Sequence, residues 1–256
     1  MRSRAPLAGA LLLLLAGAAR PSQAFTLHYD VRFGPLRLLS MRTTVDLAAD
    51  SYRTTTVVRT EGLIGVLFPW TSESVTEGLR DPLRPRRHAS DGRFRGQRRV
   101  VEIAYGDDGA VQARIEPPSE QDWRDAVPPD AQRFTVDPLT ASLATIEQGC
   151  QGRVPVFDGR RRYDLRLEDG GIAELGASPH GVYAGPTRRC RAVIEPFGGF
   201  WRSDGRESET PAALEFWIAS PRPELVPMPV YLELSGARGT LRIHLSRIDM
   251  PGGAPG

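Results

Sequence analysis

The chain has 256 residues, 33 basic against 31 acidic, for a formal net charge of +2. Three of the basic residues, Arg2, Arg4 and Arg20, fall in an N-terminal leader that contains no acid. Without them, 30 basic residues face 31 acidic ones and the net charge is −1. A near-neutral surface of this kind argues against nucleic acid or an anionic membrane as a general electrostatic partner.

The leader, MRSRAPLAGALLLLLAGAARPSQA, has a charged start, an apolar run through Leu11–Leu15 and a small-residue end at Ser22-Gln23-Ala24. This is the pattern of a secretory signal peptide, with cleavage expected after Ala24 and Ala19 as the alternative site. The apolar run is short for a membrane span, and an uncleaved anchor is the competing reading. The expected organisation is a leader over 1–24, a single β-rich domain over 25–250 and a flexible tail over 251–256. An exported, periplasmic location follows.

Past the leader, hydrophobicity alternates with period two. Phe25, Leu27, Tyr29, Val31 and Phe33 alternate with polar residues, and Met41, Thr43, Val45 and Leu47 repeat the pattern after a Gly34-Pro35 turn. Residues 53–60 (RTTTVVRT) are rich in β-branched side chains. Residues 100–116 read as a hairpin around Gly106–Gly109. LEFWIAS (214–220), VYLELSG (230–236) and GTLRIHLSRI (239–248) alternate again. Closely spaced, half-buried strands predict a mainly β fold with an antiparallel sheet that meanders or closes into a barrel, and the expected architecture is such a sheet curled into an open barrel.

Two segments depart from this period. In 134–150, Leu139, Leu143 and Ile146 share a helical face, Asp137 suits an N-cap, Pro138 the first helical position and Gly149 the C′ position. This spacing predicts one principal helix over about 138–148. Ahead of it, the proline-rich 116–130 reads as a surface loop within the domain. In EGLIGVLFPWTSES (61–74), Leu63, Ile64, Val66, Leu67, Phe68 and Trp70 crowd together without clean alternation. One reading is a buried turn or short helix plugging the barrel end. The other is an apolar lip that contacts a lipid, an acyl chain or a membrane edge.

Residues 154–168, VPVFDGRRRYDLRLE, put three arginines in a row. In a strand starting at Arg160, one face carries Arg160, Arg162, Asp164, Arg166 and Glu168, an ordinary solvated face of mixed charge. Arg161 falls on the apolar face with Tyr163, Leu165 and Leu167. There it either reaches water or meets an anion.

Cys150 and Cys190, the only cysteines, predict a disulfide in an exported protein. A cysteine nucleophile is the rival reading, and no local signature supports it. Tyr183 is expected to cover the bridge. His28, His88, His180 and His244 show no metal-ligand spacing and read as surface or strand residues. The motifs of serine hydrolases, zinc proteases, P-loops and dinucleotide binders do not occur. No metal, cofactor or catalytic residue is therefore assigned.

DPLTASL, VFDGRRRYDL, YAGPTRRC with the following GGF, and the closing FWIA, VPMPVYLEL and LRIHL resemble the domain of unknown function 3108 family of bacterial envelope proteins. The resemblance runs from about Phe25 to Ile248. Trp217, SPRPEL (220–225) and Pro229-Val230 match that family's closing segment, with Glu224 standing where the family has Asp. The family has no agreed activity, so the resemblance implies export and a β-rich fold rather than a reaction. Its strand pattern is similar to that of the periplasmic lipoprotein carriers, open β-barrels half-wrapped around helices.

The function expected from these readings is non-catalytic binding of a lipid-like, hydrophobic or amphipathic envelope component. Residues 63–70 would form the mouth of the cavity, Arg161 would meet an anionic head group, and membrane contact would be at most peripheral. The alternative is a structural or assembly partner of envelope proteins with no small ligand. Oligomeric state is not legible in the sequence.

Overall fold

The computed structural model of the chain describes residues 22–118, 126–200, 213–236 and 239–251. The first run forms strands β1 (Gln23–Phe33), β2 (Leu36–Leu47), β3 (Ser51–Thr60), β4 (Trp70–Arg80), β5 (Leu83–Phe94), β6 (Gln97–Tyr105) and β7 (Val111–Glu116), of which β4 and β5 lie in segments the alternation did not single out. A second run forms β8 (Gly152–Phe157), β9 (Arg162–Leu175), β10 (Gly185–Gly198), β11 (Leu214–Ala219), β12 (Met228–Gly236) and β13 (Gly239–Asp249). A short helix α1 (Gly62–Leu67) interrupts β3 and β4. Helices α2 (Pro129–Gln132) and α3 (Pro138–Glu147) lie between β7 and β8.

All thirteen strands join one antiparallel sheet in the order β7-β6-β5-β4-β3-β2-β1-β13-β12-β11-β10-β9-β8. Two meanders, β1–β7 and β8–β13, are thus zipped together by the first and last strands, with Tyr29 opposite Leu245. A twisted open sheet seldom exceeds about ten strands without curling, and this one curls. The two edges do not pair with each other. Instead Phe157 at the end of β8 packs with Val101 and Ile103 of β6. Gly159, just beyond, comes so close that a Cβ there would stand 2.5 Å from Val101 Cγ1. The β8 edge therefore overlaps the inner face of β6, and the barrel is open, as expected. The edge groups of β8 are satisfied by the chain entering α3. Val136 N donates to Pro155 O at 2.9 Å and Phe157 N donates to Val136 O at 2.9 Å.

Asp137 caps α3 as predicted, its side chain accepting from Leu139 N and Thr140 N, and Gly149 takes φ +62° past the helix end. The seated face differs from the expected one. Thr140, Ala141, Ala144 and Thr145 are buried, whereas Leu139, Leu143 and Ile146 are only half-buried. Small and threonine side chains let the helix lie close to the sheet. Leu143 and Ile146 then reach sideways into the two main core clusters.

Cys150 and Cys190 are joined, their Cα atoms 5.6 Å apart and 40 residues apart in sequence. The bridge ties the end of α3 to β10, and both cysteines are fully buried. Tyr183 does not cover it. That side chain packs on the other cluster, and its hydroxyl donates to Pro186 O at 2.7 Å. Replacing both cysteines by serine is expected to lower stability by about 3–4 kcal/mol, the scale for closing a loop of this length, read from the chemical-denaturation midpoint.

β1 begins at Gln23, ahead of the expected cleavage point after Ala24. The Gln23 amide donates to Glu224 O at 2.7 Å and accepts from Val226 N at 3.1 Å. Most of the leader, the middle of the proline-rich loop (119–125) and the tail from 252 lie outside the described residues.

Candidate binding site

Hairpins of an antiparallel meander alternate between the two ends of a sheet. The β1–β2, β3–β4, β5–β6, β8–β9 and β10–β11 connections therefore share one end, and α1 sits there. At the opposite end α3 fills the interior. The consequence shows along each strand's inner face. On β2, Val45 and Leu47 are buried but Leu39 and Met41 are half-exposed. On β12 and β13, Met228, Val230 and Leu245 are buried, while Leu232, Leu234, Leu241 and Ile243 are half-exposed. On β9, β10 and β11, Leu167, Ala192 and Phe216 are buried, but Leu165, Ile194 and Leu214 are not. The inner face is thus closed by the helix at one end and left as a partly uncovered aliphatic wall at the other.

α1 stands at the open end. Gly62 (φ +55°) turns the chain into it, and Gly65 lies where a Cβ would be 2.9 Å from Thr60 O. Thr60 pins the loop at its far side as well: its hydroxyl donates to Phe68 O at 3.1 Å and accepts from Trp70 N at 3.0 Å. Held this way, the helix buries none of its residues. Leu63 is 82% exposed, Val66 77% and Leu67 65%. Phe68 is exposed too, whereas Ile64 and Trp70 are half-buried. Of the two readings of 61–74, the buried plug is not what the chain adopts. Further exposed apolar side chains collect at the same end: Phe33 and Leu36 at the β1–β2 turn, Phe94 at the β5–β6 turn and Phe197 near the end of β10. The guanidinium of Arg95 lies 4.7 Å from the Phe68 ring and 5.5 Å from Phe94, linking the lip to the β5–β6 turn.

Arg161 is also at this end but not on a strand face. β9 begins at Arg162, and Asp158–Arg161 form a tight turn in which the Asp158 carboxylate accepts from Arg160 N and Arg161 N. The Arg161 side chain is half in solvent. Its Nε is 3.6 Å from Asp158 Oδ2, and its guanidinium carbon is 5.9 Å from the Phe200 ring. The expectation that it shares the apolar face with Tyr163 is corrected by this turn, which starts the alternation two residues later than the pattern suggests. The rest of the arginine stretch is the charged outer face. Arg153 and Arg162 pair with Asp164 at 3.1 and 2.6 Å, and Arg166 pairs with Glu195 at 2.7 Å and with Glu168. Such half-exposed pairs contribute little individually.

The sequence matches the family described as protein of unknown function (DUF3108) over residues 28–246. The chain belongs to the DUF3108 family. Among solved structures, it is similar to a β-barrel-like protein of the domain of unknown function DUF1849 from Brucella abortus. That likeness covers 89% of this chain and 98% of the other at 11% identity and a TM-score of 0.54, which shows the fold alone. No curated protein matches it. No helix among the described residues of this DUF3108 chain is long and apolar enough to cross a membrane.

Sequence patterning missed a second polar constellation. Asp137, Thr76 and Thr140 are fully buried and His88 is nearly so. Thr76 Oγ1 donates to Asp137 Oδ1 at 2.7 Å, and Thr140 Oγ1 donates to Asp137 Oδ2. With both hydroxyl hydrogens so engaged, Nδ1 of His88 must donate to Thr76 Oγ1 at 2.7 Å, and the Tyr52 hydroxyl must donate to Thr140 Oγ1 at 2.6 Å. His88 Nδ1 also lies 3.2 Å from Asp137 Oδ1. Burial alone would push the Asp137 carboxyl up. The hydrogen bond and positive charge of His88, with the hydroxyls of Thr140 and Thr76, outweigh that and hold it below the usual carboxylate range. Sealed from solvent, this group offers a substrate no approach. It ties α3 to β3, β4 and β5. The one sequence signal was Asp137 as a cap; its partners lie 49 and 61 residues upstream, beyond the reach of any local pattern.

Proposed function

We propose that this DUF3108 protein binds a hydrophobic or amphipathic component of the cell envelope without transforming it, in the periplasm after export. The observation that carries the reading is the uncovered aliphatic inner wall, with Leu39, Met41, Leu232, Leu234, Leu241 and Ile243 half-exposed in a sheet whose other end is packed shut. A protein interior left this way holds either water or a ligand, and an apolar lining favours the ligand. The lip Leu63, Ile64, Val66, Leu67, Phe68 and Trp70 would receive the apolar part as it enters. The buried disulfide suits an oxidising compartment.

Native mass spectrometry of protein exported to a bacterial periplasm and purified without detergent tests this. A co-purified adduct in the lipid mass range is expected. A clean apo mass, together with failure to take up an added apolar fluorophore, overturns the reading and favours an assembly partner docked on the lip. The same spectrum gives the mature N-terminus. Cleavage after Ala24 removes Gln23 and its two hydrogen bonds to the β11–β12 connection, whereas cleavage after Ala19 keeps them.

A further inference from the structure

A cavity of about 620 Å³ opens at the lip end of the β4–β6 wall, lined among others by Trp70, Ser72, Ser90, Phe94, Arg99 and Pro117. Register places Ser72 opposite Gly92 and Gly92 opposite Arg99. Arg99 therefore shares the inner face with Val101 and Ile103, which are buried further in. Arg99 is exposed there and so solvated, and it can take an anionic ligand unless a carboxylate of the chain meets it. The carboxylates of β4–β7 do not: Glu73, Glu77, Asp91, Glu102 and Glu116 all alternate onto the outer face. Asp91 is engaged there by Arg98 through Nε at 3.0 Å and Nη2 at 2.6 Å. Among the described residues Arg99 has no carboxylate partner. Around it the wall is hydroxylic, with Thr56, Ser72, Ser74 and Ser90 pointing inward, whereas β1–β2 and β9–β13 present the aliphatic wall. The interior is therefore amphipathic across its width.

We infer that this cavity takes the anionic head group of an amphiphile, held by Arg99 and the serine hydroxyls between Trp70 and Phe94, while the apolar chain lies against the aliphatic wall. The inference rests on the binding function proposed above and adds the ligand's charge and the residue that reads it. It also moves the head-group role from Arg161, which lies on the β8–β9 turn, to Arg99. Gly159 of that turn packs on Val101, two residues along β6 from Arg99.

Fluorescence titration of the full mature chain with two probes separates the possibilities: 11-(dansylamino)undecanoate, which carries a carboxylate, and N-phenyl-1-naphthylamine, which is uncharged. Arg99 is exposed, so Arg99→Gln should fold as the wild type does. It is expected to weaken binding of the anionic probe roughly tenfold to a hundredfold, the scale of a lost charge-assisted contact, and to change binding of the neutral probe by less than about twofold. Arg99→Lys, which keeps the charge, is expected to retain most of the affinity. Unchanged binding of the anionic probe to Arg99→Gln, or equal loss of both probes, overturns the assignment while leaving the binding function in place. Failure of the wild type to bind either probe overturns the binding function itself. Displacement of the anionic probe by millimolar inorganic phosphate would mean the site takes a free anion, which also overturns the amphiphile.

Discussion

Replacing Asp137 by alanine is expected to destabilise the protein by about 3–5 kcal/mol, as removal of one partner from a buried charged network does. The substitution would leave Thr76, Thr140 and His88 facing each other without their common acceptor, and would strip α3 of its cap, itself worth about 1 kcal/mol. Asp137→Asn should cost less, because the amide oxygen still accepts from Leu139 N. The effect should depend on pH. The folded Asp137 carboxyl is held below its ordinary value, so its contribution is complete above the unfolded value of about 3.9 and is lost as pH falls through the lower folded value. Urea denaturation of wild type and Asp137→Asn at neutral pH and near pH 3 reads this directly. The gap between the two should narrow in acid, and a gap constant with pH would mean that the carboxylate charge contributes nothing.

The second large effect concerns the lip. Leu67→Asp and Phe68→Asp are expected to reduce uptake of an apolar fluorophore at least about tenfold, because each places a charge where the ligand must shed water. Both positions are exposed in the folded chain, so the aspartates stay solvated and the melting temperature should move by no more than about 2 °C. Loss of binding with an intact fold identifies α1 as the entrance. Unchanged binding would remove α1 from the ligand's path and return the exposed lip to the assembly-partner reading. The distinction matters because no residue of α1 is buried, so packing explains little of its apolar composition. Its anchors are the polar atoms of Thr60 and the close approach of Gly65.

The sequence by itself determined most of the strands, though not β4, β5 or β8, together with the principal helix and its cap and the cysteine bridge. The strands, the helix and its cap rest on interactions local in the chain, and the bridge on there being a single pair of cysteines. Period-two burial needs only neighbouring residues, an N-cap needs the next three, and an Asp-Gly or Gly-Pro turn needs two. Even the mixed-charge outer face around Arg160–Glu168 was legible, since opposite signs alternate within one strand and its neighbours. Its error was one of boundary: the Asp158 turn consumes Arg160 and Arg161, and so lifts Arg161 off the face that alternation assigns it.

Only the tertiary structure decided the rest. Whether 61–74 is plug or lip depends on what occupies the interior, and α3, folded from residues more than 60 positions later, fills the opposite end. Burial of Asp137 against Thr76 and His88 depends on the curl that carries β4 and β5 across α3. The inward position of Arg99 depends on the parity of β6 relative to Val101 and Ile103, and its meaning depends on every nearby carboxylate facing outward. These are long-range pairings set by sheet register and closure. One residue of slip would exchange the faces, so local composition cannot say which arginine meets solvent and which looks into the cavity.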